Sequence, residues 1–229
     1  MNTLLVLLIL IAALSIFSIA HFLRAYSKFK TIPVRSRMTG HELAQLILRN
    51  NDLDDYSVAI TSGRFADHFN YRNKTVYLSD EIYNGISVTA IAVAAHETAH
   101  AVQYRKAWLS PYREHRRLNP VKHYAFAISE YSIYVILPLL LYGFIFVQEA
   151  VVTAGIITYC AALIVNIFRI RHEYLANFHV LKEIELSRNF NQEEIDSIKA
   201  LLNAALATYL AGSITSVLGV FTTIIRRDK

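Results

Sequence analysis

Ala94-Ala95-His96-Glu97-Thr98-Ala99-His100-Ala101-Val102 is the stretch on which the reading of this chain turns. It lies in an apolar, alanine-rich run from Val88 to Val102 that follows an Asn84-Gly85 breaker and a capping residue, Ser87, so it predicts a helix. Residues four apart on an α-helix are one turn apart and rotated by about 40°, so His96 and His100 present two imidazoles on one face. Neutral imidazole is a good zinc ligand. Glu97, beside the first histidine, can face the open position of the metal without binding it and take a proton from the activated water. The pattern HExxH does arise by accident, and a pair of satisfied surface histidines is the ordinary alternative. Here two histidines and a glutamate interrupt an otherwise apolar helix, where burying them without a partner is costly.

Upstream of this helix the composition is that of a folded α+β unit. Thr39-Gly40-His41-Glu42 opens a helix with Leu43, Ala44, Ile47 and Leu48 at helical spacing, stopped near Asn50-Asn51. Val58–Ile60 and Thr75–Leu78 read as short strands, with Tyr71-Arg72-Asn73-Lys74 as the turn before the second. The second strand offers an edge to which an extended peptide could add. Downstream, residues 172–199 alternate apolar with charged positions at helical spacing. No internal repeat or low-complexity tract stands out.

The rest of the chain is apolar to an unusual degree. Of its 229 residues 54% are hydrophobic and only 18% charged, a balance that points toward lipid. Leu4 to Leu23 carries no formal charge and is long enough to span as a helix. A cleaved signal peptide competes, with Ser18-Ile19-Ala20 as its small residues, but the basic residues follow the apolar run instead of preceding it. Ile133–Val147 and Val151–Phe168, separated by Gln148-Glu149, predict a membrane hairpin; a buried soluble helix pair is the alternative. Leu201–Ile225, diluted by Asn203, Thr208, Ser213, Thr215 and Ser216, either spans or packs on the domain. The expected organisation is an anchor over 1–23, a cytoplasmic α+β part with the HExxH helix over 24–130, the hairpin over 131–168, a returning helix over 169–200 and a C-terminal apolar helix over 201–229.

The net charge of +5 does not imply nucleic acid, because the Lys and Arg flank apolar runs instead of forming a stripe. Arg24, Lys28, Lys30, Arg35 and Arg37, with Arg169 and Arg171, place the HExxH helix and the residues after the hairpin on the cytoplasmic side of a membrane. A single cysteine, Cys160, excludes an intrachain disulfide and a thiolate metal cluster.

Thr39-Gly40, the stretch Asp67-His68-Phe69 through Asn73-Lys74-Thr75-Val76-Tyr77-Leu78-Ser79, Tyr83-Asn84-Gly85, Ala94-Ala95-His96-Glu97 and Ala101-Val102-Gln103 together resemble the YugP-type neutral zinc metallopeptidases of bacteria. A wider similarity reaches the membrane-bound gluzincins of the HtpX and CAAX-prenyl protease group. The resemblance implies a zincin-like α+β core embedded in a multi-pass α-helical membrane protein. It also implies a third zinc ligand after the hairpin, where the family carries a Glu-Phe-Asp-Ala-like segment. Arg171-His172-Glu173-Tyr174-Leu175-Ala176 looks like the counterpart, so Glu173 is the implied ligand beside His96 and His100. Ala99 departs from the usual glycine, and Leu175 stands where the family has an acidic residue. Asn177, four positions after the glutamate, is a further departure, though its amide could orient a ligand. His172 is the alternative third ligand, and His115, His123 and His179 are weaker ones.

The resulting expectation is one zinc per chain and a metalloendopeptidase in which Glu97 serves as general base. Its partners would be a peptide or protein substrate and the bilayer. A catalytically inactive membrane scaffold of the same fold is the runner-up, but a scaffold has no need of the base. A transporter would require ionisable residues within spans, and only Asn166 and Glu149 come near that. His68 reads as structural, and the Tyr112–Arg117 charge run as membrane-proximal charge with no specific ligand.

Overall fold

The computed structural model describes residues 2–109 and 149–227. By internal contacts the chain divides into two compact units. One comprises Met1–Ile19, Arg117–His172 and Ala207–Lys229, the other Ala20–Arg116 and Glu173–Leu206. All three strands and the HExxH helix belong to the second.

Helix α1 (Asn2–Lys30) ends with Lys28 and Lys30 in its last turn, where positive charge suits the exposed carbonyls. Its C-terminal end joins the second unit, where Tyr26 and Phe29 are buried. Thr39 then caps α2 (Gly40–Asn50). Its hydroxyl accepts from Glu42 N at 3.2 Å while the Glu42 carboxylate accepts from Thr39 N at 2.8 Å, a reciprocal pair that satisfies two otherwise free N–H groups. The apolar stripe of α2, Leu43, Ala44, Ile47 and Leu48, is buried.

A three-stranded sheet follows, with β1 (Ser57–Thr61), β2 (His68–Asn70) and β3 (Thr75–Ser79) in the order β1-β3-β2. β1 runs parallel to β3 and β2 antiparallel to it. β3 is therefore central, and the expectation that it offers a free edge is corrected: both of its edges are paired, leaving β1 and β2 outermost. β2 escapes the sequence reading because three residues are too few to show alternation. On β3, Val76 and Leu78 are fully buried, as alternation requires of the core face. Opposite Val76 stands Phe69, which packs on Tyr104, whereas His68 pairs with Tyr77 and stacks on its ring on the other face. That stacking, with His68 Nδ1 donating to the Ala66 carbonyl at 2.8 Å, gives His68 a structural role.

A single turn, α3 (Asp80–Tyr83), leads to α4 (Val88–Leu109), seven residues longer than the apolar run to Val102 indicates. Its alanines let α2 approach closely. A Cβ on Gly40 would stand 2.2 Å from the Ile82 carbonyl oxygen and 3.1 Å from the Ala94 Cβ, so only glycine fits at the start of α2. Most of α4 is buried, but Val93, His96, Glu97, His100, Gln103 and Tyr104 form a partly open stripe at helical spacing.

After the undescribed stretch, α5 (Glu149–Ser187) and α6 (Gln192–Arg227) complete the chain. Each runs unbroken across an expected boundary, α5 past residue 168 and α6 past residue 200. Asn191 and Glu194 form a second reciprocal cap, and the Glu194 carboxylate also accepts the Arg35 backbone N–H, tying the start of α6 to the α1–α2 connection.

The expectation of a multi-pass membrane protein is corrected. Among the described residues no helix is long and apolar enough to cross a membrane. The described part of α1 carries Ser15, Ser18, His21 and Arg24, and α5 runs from its apolar half straight into Arg169, Arg171 and Glu173. In the second unit Leu201, Leu202 and Ala204 of α6 are buried in protein. The first limb of the expected hairpin, Ile133–Val147, lies outside the described residues, as do His115, His123 and the Tyr112–Arg117 run.

Candidate metal centre

His96 and His100 lie one turn apart on the open stripe of α4, and their Nε2 atoms are 3.2 Å apart. Glu173 arrives from α5. Its Oε2 stands 3.2 Å from His96 Nε2 and 3.6 Å from His100 Nε2. The three therefore converge, and the helix geometry that brings Glu173 inward turns its neighbour His172 about 100° away. His179 donates from Nδ1 to the Leu175 carbonyl at 2.6 Å and takes no part.

The far side of each imidazole is held. His96 Nδ1 lies 2.9 Å from Asn177 Oδ1, and His100 Nδ1 lies 3.2 Å from Gln103 Oε1. An amide oxygen only accepts, so both Nδ1 atoms carry a proton, and each ring when neutral turns the lone pair of its Nε2 inward. Two lone pairs then face a carboxylate oxygen that is buried and makes no hydrogen bond of proper geometry. Three such atoms packed this closely call for positive charge among them, which a proton on an imidazole or a metal ion supplies. Ligands of a tetrahedral zinc at 2.0–2.2 Å stand roughly 3.3–3.6 Å from one another, close to the observed separations. The donor set fits zinc, and His96, His100 and Glu173 are the residues that would hold it.

The electrostatics follow from the same packing. Burial alone would lower His100, but the Glu173 carboxylate beside it, helped by Glu97 and Gln103, raises it to about 9. Burial would raise Glu173, yet the two imidazoles hold it well below the usual carboxylate range. Glu97 is pushed up, chiefly by burial and further by the charges of Glu173 and Asp67, against the opposing pull of His96 and His100. It is thus a carboxylate within electrostatic reach of the cluster with its basicity raised, as a general base requires.

Two contributors lay beyond the sequence reading of roles. Gln103, three residues after His100 on one helix, had a legible signal in its spacing. Asp67 had none: its Oδ1 accepts from Ser79 N at 2.7 Å and Ser79 Oγ at 3.0 Å, fixing β2 against the end of β3.

A small α+β sheet-and-helix unit that presents two helix-borne histidines, an adjacent glutamate and a distant third carboxylate defines a protein of the zinc-peptidase type. The comparisons agree: the chain belongs to the family described as "Putative neutral zinc metallopeptidase", which it matches over residues 4–227. It is also 30% identical, over 84% of its own length and 82% of the other's, to a protein of Bacillus subtilis (strain 168) described as "Putative membrane protease YugP". No solved structure matches it significantly.

Proposed function

We propose that this protein is a zinc-dependent endopeptidase in which His96, His100 and Glu173 hold the metal and Glu97 is the general base. The observation that carries the reading is the convergence of His96 Nε2, His100 Nε2 and a buried Glu173 carboxylate oxygen, with Glu97 adjoining them. Zinc held there supplies Lewis acidity toward the scissile carbonyl and lowers the pKa of water. Glu97 takes a proton from the attacking water and returns it to the departing amine, a task for which its raised pKa suits it. An extended substrate would pair with β2, the outer strand whose Phe69 touches α4 through Tyr104.

A membrane-associated setting is supported by the name of the Bacillus subtilis relative and by the exposed Leu14, Ile16, Phe17 and Ile19 side chains of α1.

Metal analysis and hydrolysis of an unfolded protein substrate by the purified full chain test the proposal. We expect about one zinc, and proteolysis that a chelator abolishes and zinc restores. Glu97→Gln should keep its zinc and lose activity by a factor on the order of 10² to 10⁴. Zinc without proteolysis in the wild type would favour the scaffold instead, and a chain that binds no zinc would sink the reading.

A further inference from the structure

We propose that Asn177 is the positioning residue of the metal centre: it fixes the tautomer of His96 through an amide clamped between α4 and α6. This rests on the zinc site proposed above. Asn177 lies one turn after Glu173, so α5 offers the ligand and the amide from one face. Its side chain is 5% exposed, and both ends are engaged. Nδ2 donates to the Leu202 backbone carbonyl of α6 at 3.2 Å, and Oδ1 faces His96 Nδ1 at 2.9 Å.

The assignments follow one from another. A carbonyl oxygen only accepts, so the amide must turn its NH₂ toward Leu202. Its oxygen must then face His96, and that oxygen also only accepts, so the proton on His96 is placed on Nδ1. Nε2 is left bare, aimed at the position shared with His100 and Glu173. The amide thus settles which nitrogen of His96 is available to a metal, and it joins three helices, α4, α5 and α6, in doing so.

This arrangement asks for opposite hydrogen-bonding polarity at the two ends of one short side chain. Asparagine supplies it. Aspartate would preserve the acceptor toward His96 but set a second acceptor against the Leu202 carbonyl. Leucine, of similar size, would preserve neither.

Zinc affinity of the purified full chain, measured by competition with a chelator, separates these cases. Asn177→Leu should bind zinc 10- to 100-fold more weakly, the usual effect of losing a partner that orients a metal ligand. Asn177→Asp should recover most of that loss, because the acceptor toward His96 is kept. Wild-type affinity in the leucine variant would overturn the proposal, and so would an aspartate variant as weak as the leucine one, since the residue would then act only as a tether to α6. Long-range proton–nitrogen correlation spectra of the wild type give a second readout that does not depend on the leucine variant folding or on zinc binding. His96 should carry a proton on Nδ1 with and without zinc, and a neutral ring protonated on Nε2 alone would refute the assignment. Failure of the wild type to bind zinc would instead count against the metal site itself.

Discussion

At the scale of single residues, the question the sequence left open was which of two neighbours, His172 or Glu173, completes the site. The structure brings Glu173 to within 3.2 Å of His96, and helical geometry then turns His172 elsewhere. Glu173→Ala should therefore lower zinc content sharply and abolish proteolysis, whereas His172→Ala should retain zinc near the wild-type level. Metal analysis of the two purified variants checks this, and the opposite pattern would move the ligand to His172. His96, Glu97 and His100 were legible because their relation is local: four residues on one helix fix a face. Asn177 was legible as an amide able to orient a ligand, but which ligand depends on a partner 81 positions away.

At the scale of elements, the capping box at α2 makes a prediction with a pH sign. Glu42 is held below the usual carboxylate value, first by the Thr39 backbone N–H and then by its hydroxyl. A depressed folded-state pKa contributes stability above the unfolded value of 4.5, lost as pH falls through the folded one. Thr39→Ala should cost about 1 kcal/mol at pH 7, with a smaller difference from wild type at pH 3, as read by urea denaturation. An unchanged difference across that range would show that the carboxylate is not part of the cap. A second element-scale expectation concerns Gly40, where a Cβ would approach the Ile82 carbonyl to 2.2 Å. Gly40→Ala should force α2 away from α3 and lower stability by roughly 1–3 kcal/mol. A variant as stable as wild type in the same titration would argue against the close approach. The helices and two of the strands could be read from periodicity and capping. β2 could not, since only its pairing with β3 makes three residues a strand.

At the scale of the whole molecule, the proposed ligands come from two helices far apart in sequence, so a bound metal acts as a cross-link between α4 and α5. A ligand that binds only the native state stabilises it by about 2.7 kcal/mol at a hundredfold excess over its Kd. Chelation should accordingly lower the melting temperature of the wild-type protein and leave that of His96→Ala unmoved. Equal shifts in both would mean that the chelator acts elsewhere.

The sequence by itself determined the chemistry on offer: two imidazoles on one helical face with a carboxylate beside them, a capped amphipathic helix before them, and a candidate third ligand in residues 171–176. Each of these follows from rules that act over a few residues, namely helical period, capping and the donor inventory of side chains. Tertiary structure decided the rest. It set β3 at the centre of the sheet and assigned β2 the outer edge. It brought Glu173 to the two histidines and turned the Asn177 amide by means of the Leu202 carbonyl. It also overturned the multi-pass reading, because an apolar run specifies burial without specifying the medium that buries it, and in the second unit the partner is protein. A backbone carbonyl such as that of Leu202 is present at every position of every chain. Only packing determines which one receives a particular amide, and with it which nitrogen of His96 faces the site.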